Sequence, residues 1–211
     1  SPRQRLLSPK DKDKEELNWI VMAGNRDNNE CGNSVRRILS AAQFAAEKHA
    51  QQKRKGENAE PYFNHLLEVA ELIAASSPDL DVELIMAAFL HDTVEDTGVT
   101  PQELEQRFGK YVADLVGEVT DDKSLPKEIR KQLQVEHTPE ISSRAQTLKL
   151  ADKISNLRAV VASPPVGWSL ERKRQYFEWA KQVISGIASP NEYLKSEFDK
   201  AYRAISKLNE S

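Results

Sequence analysis

From Asn33 to the C-terminal region the apolar residues of this chain recur at three- and four-residue intervals, and no stretch alternates as a half-buried strand would. Such a chain folds by stacking helices with their apolar stripes inward, so the expected class is all-α. Val35, Ile38, Leu39, Ala42, Ala45 and Ala46 make a first stripe, with Asn33 or Ser34 as its cap and an end expected near Gly56. A second helix is expected through His65 to about Ser76, on Leu66, Val69, Ala70 and Ile73, and a third follows Asp81 through Val82, Ile85, Ala88 and Phe89. Thr100-Pro101-Gln102-Glu103 is a capping box with proline at the first helical position, and the stripe behind it crosses Gly109, a candidate break. Leu148 to about Val161 and Trp168 to Ile187 are also helical in pattern. Ser189-Pro190-Asn191-Glu192 repeats the capping-box logic ahead of Leu194, Phe198, Tyr202 and Ile205.

At 211 residues and 39% apolar content the chain can bury enough core for one globular domain, which we place at residues 34–211. Residues 1–33 read as an N-terminal extension, with a charged run at Lys10–Glu16 and a turn-rich Gly24–Asn29. Met22 offers a native start that would make the preceding residues foreign; a docked helix around Trp19 is the alternative. The longest apolar run, Leu84 to Leu90, is far short of the roughly 20 residues that cross a bilayer, and no secretory signal is present, so no membrane partner is expected. A single cysteine, Cys31, fits a reducing cytoplasm. The net charge of −3 gives no general attraction to nucleic acid, so anion recognition must come from a local cluster.

The segment Phe89-Leu90-His91-Asp92-Thr93-Val94-Glu95-Asp96 puts four ionisable groups at the end of an otherwise apolar helix. Buried carboxylates are costly unless paired or metal-bound, and acids at the negative end of a helix dipole are disfavoured, so the placement calls for a cation. Glu95 lies four residues after His91 and Asp96 four after Asp92, which on a continuous helix turns both pairs toward one cleft. His65 opens its helix and could project its imidazole into the same cleft, although by itself a histidine there is more often a capping or surface group than a ligand. Asp152 by itself reads as a surface acid paired with Lys149 or Lys153, with Asn156 one turn later on the same face. Taken together, His65, His91, Asp92 and Asp152 make a two-nitrogen, two-carboxylate set suited to a divalent Mn, Fe, Co or Zn ion.

The ordered set of a His, a His-Asp pair and a later Asp resembles the HD superfamily of metal-dependent phosphohydrolases. Tyr62-Phe63-Asn64-His65, His91-Asp92-Thr93-Val94-Glu95-Asp96, Val119-Thr120-Asp121-Asp122-Lys123 and Leu150-Ala151-Asp152-Lys153 with Asn156-Leu157-Arg158 are similar to the hydrolase domain of RelA/SpoT proteins. The stand-alone members of that group are the small alarmone hydrolases, metazoan SpoT homologues among them. The resemblance covers roughly residues 34–205. It implies a compact multi-helix HD bundle with one Mn²⁺ between helices on His65, His91, Asp92 and Asp152, with no synthetase segment expected after the last helix. The activity it implies is removal of the 3′-pyrophosphate of guanosine tetra- or pentaphosphate, which lowers alarmone levels in the stringent response.

By the same carry-over Glu95 and Asp96 handle the attacking water, Arg54 stacks on or covers the base, Lys55 meets phosphate and Asn156 faces the sugar. Lys123 comes from a loop over the substrate, and Tyr62 and Tyr176 are further candidate contacts. His49 and His137 match no ligand position and read as ordinary surface or helix-end residues. Two other functions fit the same residues: removal of the 2′-phosphate of NADPH, and a non-catalytic nucleotide-binding module.

Overall fold

The computed structural model describes residues 31–209, so the segment around Trp19 and Met22 lies outside the described residues. The chain divides after Arg37 into two units. Of the first, residues 31–37 are described and are helical, so the helix is already under way before Asn33 and Ser34, and neither caps its start.

The second unit begins with α1, residues 38–48. Helix α2 is Phe63–Ala75, α3 Val82–Leu90, α4 Thr93–Thr97, α5 Pro101–Phe108, α6 Lys110–Val119, α7 Lys127–His137, α8 Ser143–Ala162, α9 Leu170–Ser185 and α10 Glu192–Arg203, with a 3₁₀ segment at Ala204–Asn209. No strand occurs among the described residues; the fold is all-α. Thr100 accepts the Glu103 amide at 3.1 Å with Pro101 behind it, as the capping box requires. Gly109, at φ 90°, does break the stripe, because a side chain there would be strained and the chain must turn between α5 and α6. The last cap falls two residues later than the pattern suggests: Asn191, not Ser189, accepts the Leu194 amide.

Helix α8 is the axis of the unit, packed against α2, α3, α6, α9 and α10. Leu148, Leu150, Ile154 and Leu157 on it are fully buried, each contributing roughly 1.5–3 kcal/mol. Its start is tied to that of α3, since Arg144 forks onto Asp81 at 2.8 and 2.5 Å while Asp81 also caps α3. The two helices that carry His91 and Asp152 are therefore fixed in register.

The first helix ends at residue 48 and not near Gly56, because the following segment folds back on itself. Arg54 N–H donates to Glu60 at 2.8 Å and Tyr62 N–H to Gln52 at 3.0 Å, closing a loop that reaches α2. Gly56 lies against the end of α8, where a Cβ would collide with the Ser163 carbonyl. Val166 N–H donates to Lys55 and Glu57 N–H to Pro164, each at 3.2 Å, fastening the loop there.

Candidate active site

Every residue of Leu84–Leu90 is buried, and α3 stops where the ionisable residues begin. His91 and Asp92 form a turn, and α4 restarts at Thr93, whose hydroxyl donates to the Leu90 carbonyl at 2.6 Å. The expected continuous helix is thus interrupted, yet its acids still share one cavity system. His91, Asp92 and Glu95 line an inner pocket of 130 Å³, and Glu95 and Asp96 line an outer cleft of 980 Å³.

His65 from α2, His91 from the turn and Asp152 from α8 each present a ligand atom within 4.8 Å of the others. His65 Nε2 lies 3.3 Å from Asp152 Oδ1 and 3.6 Å from Asp92 Oδ2, and His91 Nε2 lies 3.0 Å from Asp92 Oδ2. Both imidazoles are buried, 3% and 5% exposed, and neither Nε2 has a hydrogen-bond partner. Their other nitrogens are occupied. His91 Nδ1 donates to the Ala88 carbonyl at 2.8 Å. His65 Nδ1 pairs at 2.9 Å with Ser155 Oγ, whose own proton goes to Glu68. This leaves both Nε2 lone pairs aimed at the carboxylates, an orphaned arrangement that a cation satisfies. The three residues form a candidate divalent-metal site.

The outer cleft extends from this point between the 52–62 loop, α4, α7, α8 and α9. Arg54, half-buried, donates to Asn156 at 3.0 Å, and Asn156 donates to Asp152 at 2.6 Å. Tyr62 donates to Asp92 at 2.7 Å, and Arg54 sits 5.6 Å over its ring. Lys55 and Lys123 are exposed on the rim, Lys123 paired with Asp96. Tyr176 lies deep on α9, between Trp168 and Trp179 at 5.5 and 5.3 Å. The structure brings Arg54, Lys55, Tyr62, Lys123, Asn156 and Tyr176 to one cleft with Glu95 and Asp96.

The sequence matches the HD-domain family over residues 41–176, most of the described unit. The chain belongs to the HD-domain family. A Xenopus tropicalis protein named guanosine-3′,5′-bis(diphosphate) 3′-pyrophosphohydrolase MESH1 is 49% identical over 162 residues, 77% of this chain and 90% of the relative. The Homo sapiens protein of that name is 48% identical over 164 residues, 78% of this chain and 92% of its own length. A solved structure described as a metazoan ortholog of SpoT that hydrolyses ppGpp superposes with a TM-score of 0.76 at 43% identity, covering 79% of this chain and 94% of that one.

Electrostatics in the HD domain favour a cation at the same point. Burial disfavours a charged His91, but the carboxylates of Asp92 and Asp152 outweigh it and push its pKa well above the usual. Burial opposes ionisation of Asp152 as well, yet Lys153 and the two histidines hold its pKa well below the carboxylate range. Because Ser155 fixes the His65 tautomer, Ser155→Ala should weaken metal binding by roughly 10–100-fold with the helices intact. Titration of the metal-free variant with Mn²⁺ checks this; an unchanged affinity would show the hydroxyl to be incidental.

Three cleft residues, Gln52, Arg130 and Gln134, and one residue packed behind the cleft, His49, escape sequence reasoning. His49 is 2% exposed, not at the surface: it follows the end of α1, stacks on Tyr62 at 5.1 Å and pairs with Gln52 at 2.5 Å. Gln52 in turn donates to Asp96 at 2.7 Å. Arg130 and Gln134 come from α7, where Arg130 lies 3.8 Å from Glu95 and Gln134 donates to Asp121 at 2.7 Å. His49 and Gln52 sit in a polar stretch with nothing to distinguish them, and α7 buries no residue fully, so it has no stripe to read.

Proposed function

We propose that the chain is a metal-dependent hydrolase that removes the 3′-pyrophosphate of guanosine tetra- or pentaphosphate, leaving GDP or GTP. The observation that carries this is the convergence of His65, His91, Asp92 and Asp152 beside the Glu95-Asp96 pair, at the inner end of a cleft lined by cations and aromatic rings. The names of the MESH1 relatives point the same way.

We assign the metal to His65, His91, Asp92 and Asp152, and the ion to Mn²⁺, which the two-nitrogen, two-carboxylate set suits. The chemistry such a cation supplies is a lowered pKa for water and polarisation of a phosphoryl oxygen. Glu95, whose pKa burial and then Asp92 and Asp121 raise, takes the proton from the attacking water. The water oxygen forms the new bond to phosphorus, the bond from phosphorus to the ribose 3′ oxygen breaks, and that oxygen takes a proton. Asp96, steadied by Gln52 and Lys123, flanks the water. Arg54 covers the base, with its planar guanidinium already over Tyr62, and Lys55 and Lys123 meet phosphates as point charges. Asn156, reached from Arg54, faces the sugar, and Tyr62 and Tyr176 close the cleft walls. The domain carrying this work is residues 34–211, and a cytoplasmic location accords with the lone exposed Cys31.

Mn²⁺-loaded protein should release pyrophosphate from guanosine tetraphosphate, with a higher kcat/KM than for phosphate release from NADPH assayed alongside. No release at saturating metal would overturn the assignment. A reversed ratio would move the substrate to NADPH, and nucleotide binding without turnover would make the domain a regulatory module.

A further inference from the structure

Helix α8 turns Lys149, Asp152, Lys153 and Asn156 toward the inner pocket, spaced as one helical stripe. Three of the four have partners on the protein. Asp152 faces the imidazoles, Asn156 bonds Asp152, and Lys153 pairs with Asp152 at 3.0 Å while lying 4.6 Å over the Trp179 ring. Lys149 is different. It is only 7% exposed, yet among the described residues no carboxylate lies within ion-pair distance of its ammonium and no hydrogen bond satisfies it.

An ammonium this little exposed, with its nearest carboxylates beyond ion-pair distance, weakens the fold that holds it, and an anion entering from outside offsets that cost. Burial first, then the charge of Lys153, pull its pKa down to about 8, against the opposing effect of Asp152, Asp121 and Glu95. The pocket it lines, at 130 Å³, has room for a phosphoryl group and its water but not for a nucleoside. Among the other cations of the cleft, Lys55 and Lys123 are exposed, Arg54 bonds Asn156, and Arg130 lies against Glu95 and Asp121 at 3.8 and 3.9 Å.

We infer that Lys149 is a catalytic residue whose ammonium meets the non-bridging oxygens of the phosphoryl group cleaved beside Asp152. It takes up the charge that collects on those oxygens as the bond to the ribose oxygen breaks, from a desolvated position where one charge has more effect than several on the rim. This rests on the inner pocket being the hydrolytic centre proposed above.

The test is Lys149→Met, which keeps the length and apolar volume of the side chain, with Lys149→Gln as a second variant. Five quantities are measured on Mn²⁺-loaded protein: kcat and KM on guanosine tetraphosphate, the Kd of inorganic pyrophosphate, metal content and Tm. We expect kcat to fall by roughly 10²–10³-fold with little change in KM. Pyrophosphate should bind about tenfold or more weakly, while metal content holds and Tm stays level or rises. A lowered Tm with kcat and pyrophosphate affinity intact would make Lys149 structural and overturn the inference. Should the wild type prove inert on the nucleotide, the hydrolase reading fails by itself. Equal pyrophosphate affinity in wild type and both variants would then overturn the role of Lys149 separately.

Discussion

Asp92→Ala protein should emerge from purification without stoichiometric metal and hydrolyse guanosine tetraphosphate roughly a thousandfold or more slowly than the parent. Asp92 Oδ2 stands 3.0 and 3.6 Å from the two free imidazole nitrogens. Its loss leaves His65, His91 and Asp152, a set with one negative charge against the two of a divalent ion. The Tyr62 hydroxyl also loses the carboxylate it donates to. The core does not run through this residue: Asp92 is half-buried, and the helices around it are held by Leu66, Leu90, Leu148 and Ile154. Helix content by circular dichroism should therefore match the parent while metal analysis shows the loss. A variant that keeps one equivalent of metal and a rate within tenfold of wild type would remove Asp92 from the site.

Glu95→Gln should do the opposite, keeping the metal while kcat falls by roughly 10²–10⁴-fold. The amide preserves size and can still accept from the Asp121 N–H, now 3.2 Å from Glu95, but it cannot take a proton from water. The pH profile gives a second reading. As the proposed base Glu95 works as the carboxylate, and burial followed by Asp92 and Asp121 raises its pKa above the ordinary value. Activity is therefore present above that raised pKa and lost as pH falls through it, and the acid limb lies at higher pH than an unperturbed glutamate would place it. The residual rate of the glutamine variant should lack this limb. A limb that persists would assign the base to another group, Asp96 first.

What could be read from the sequence follows a physical divide. His91, Asp92, Glu95 and Asp96 stand out because charged residues end an apolar helical pattern, an interruption costly enough to demand an explanation, whereas Asp152 alone reads as a surface acid and joins the site only as a member of the set with His65, His91 and Asp92. Lys149 and Lys153 interrupt an apolar pattern too but read as surface partners for Asp152, because a lysine at helical spacing from an acid usually is one. The structure buries both, since α8 is packed on nearly every side. Helix α7 is illegible for the converse reason: its residues lie over the cleft and none is fully buried, so nothing in the pattern places Arg130, Lys131 and Gln134 there. The end of α1 was misplaced because nothing in Gln52–Tyr62 announces backbone pairing; that turn is set by contacts with Pro164, Pro165 and Val166, more than a hundred residues away.

Those contacts bear on how the cleft meets a ligand. The strand-like bonds that join Lys55 to Val166 and Glu57 to Pro164, just past the end of α8, together with the bond from Arg54 to Asn156, tie the loop carrying Arg54 and Lys55 to the helix that carries Asp152 and Asn156. The spacing between Arg54 and Lys55 and the proposed metal ligands is thereby set by the fold, as on a ruler, and the conformational freedom of the basic loop is surrendered during folding, with little left to lose when a nucleotide arrives.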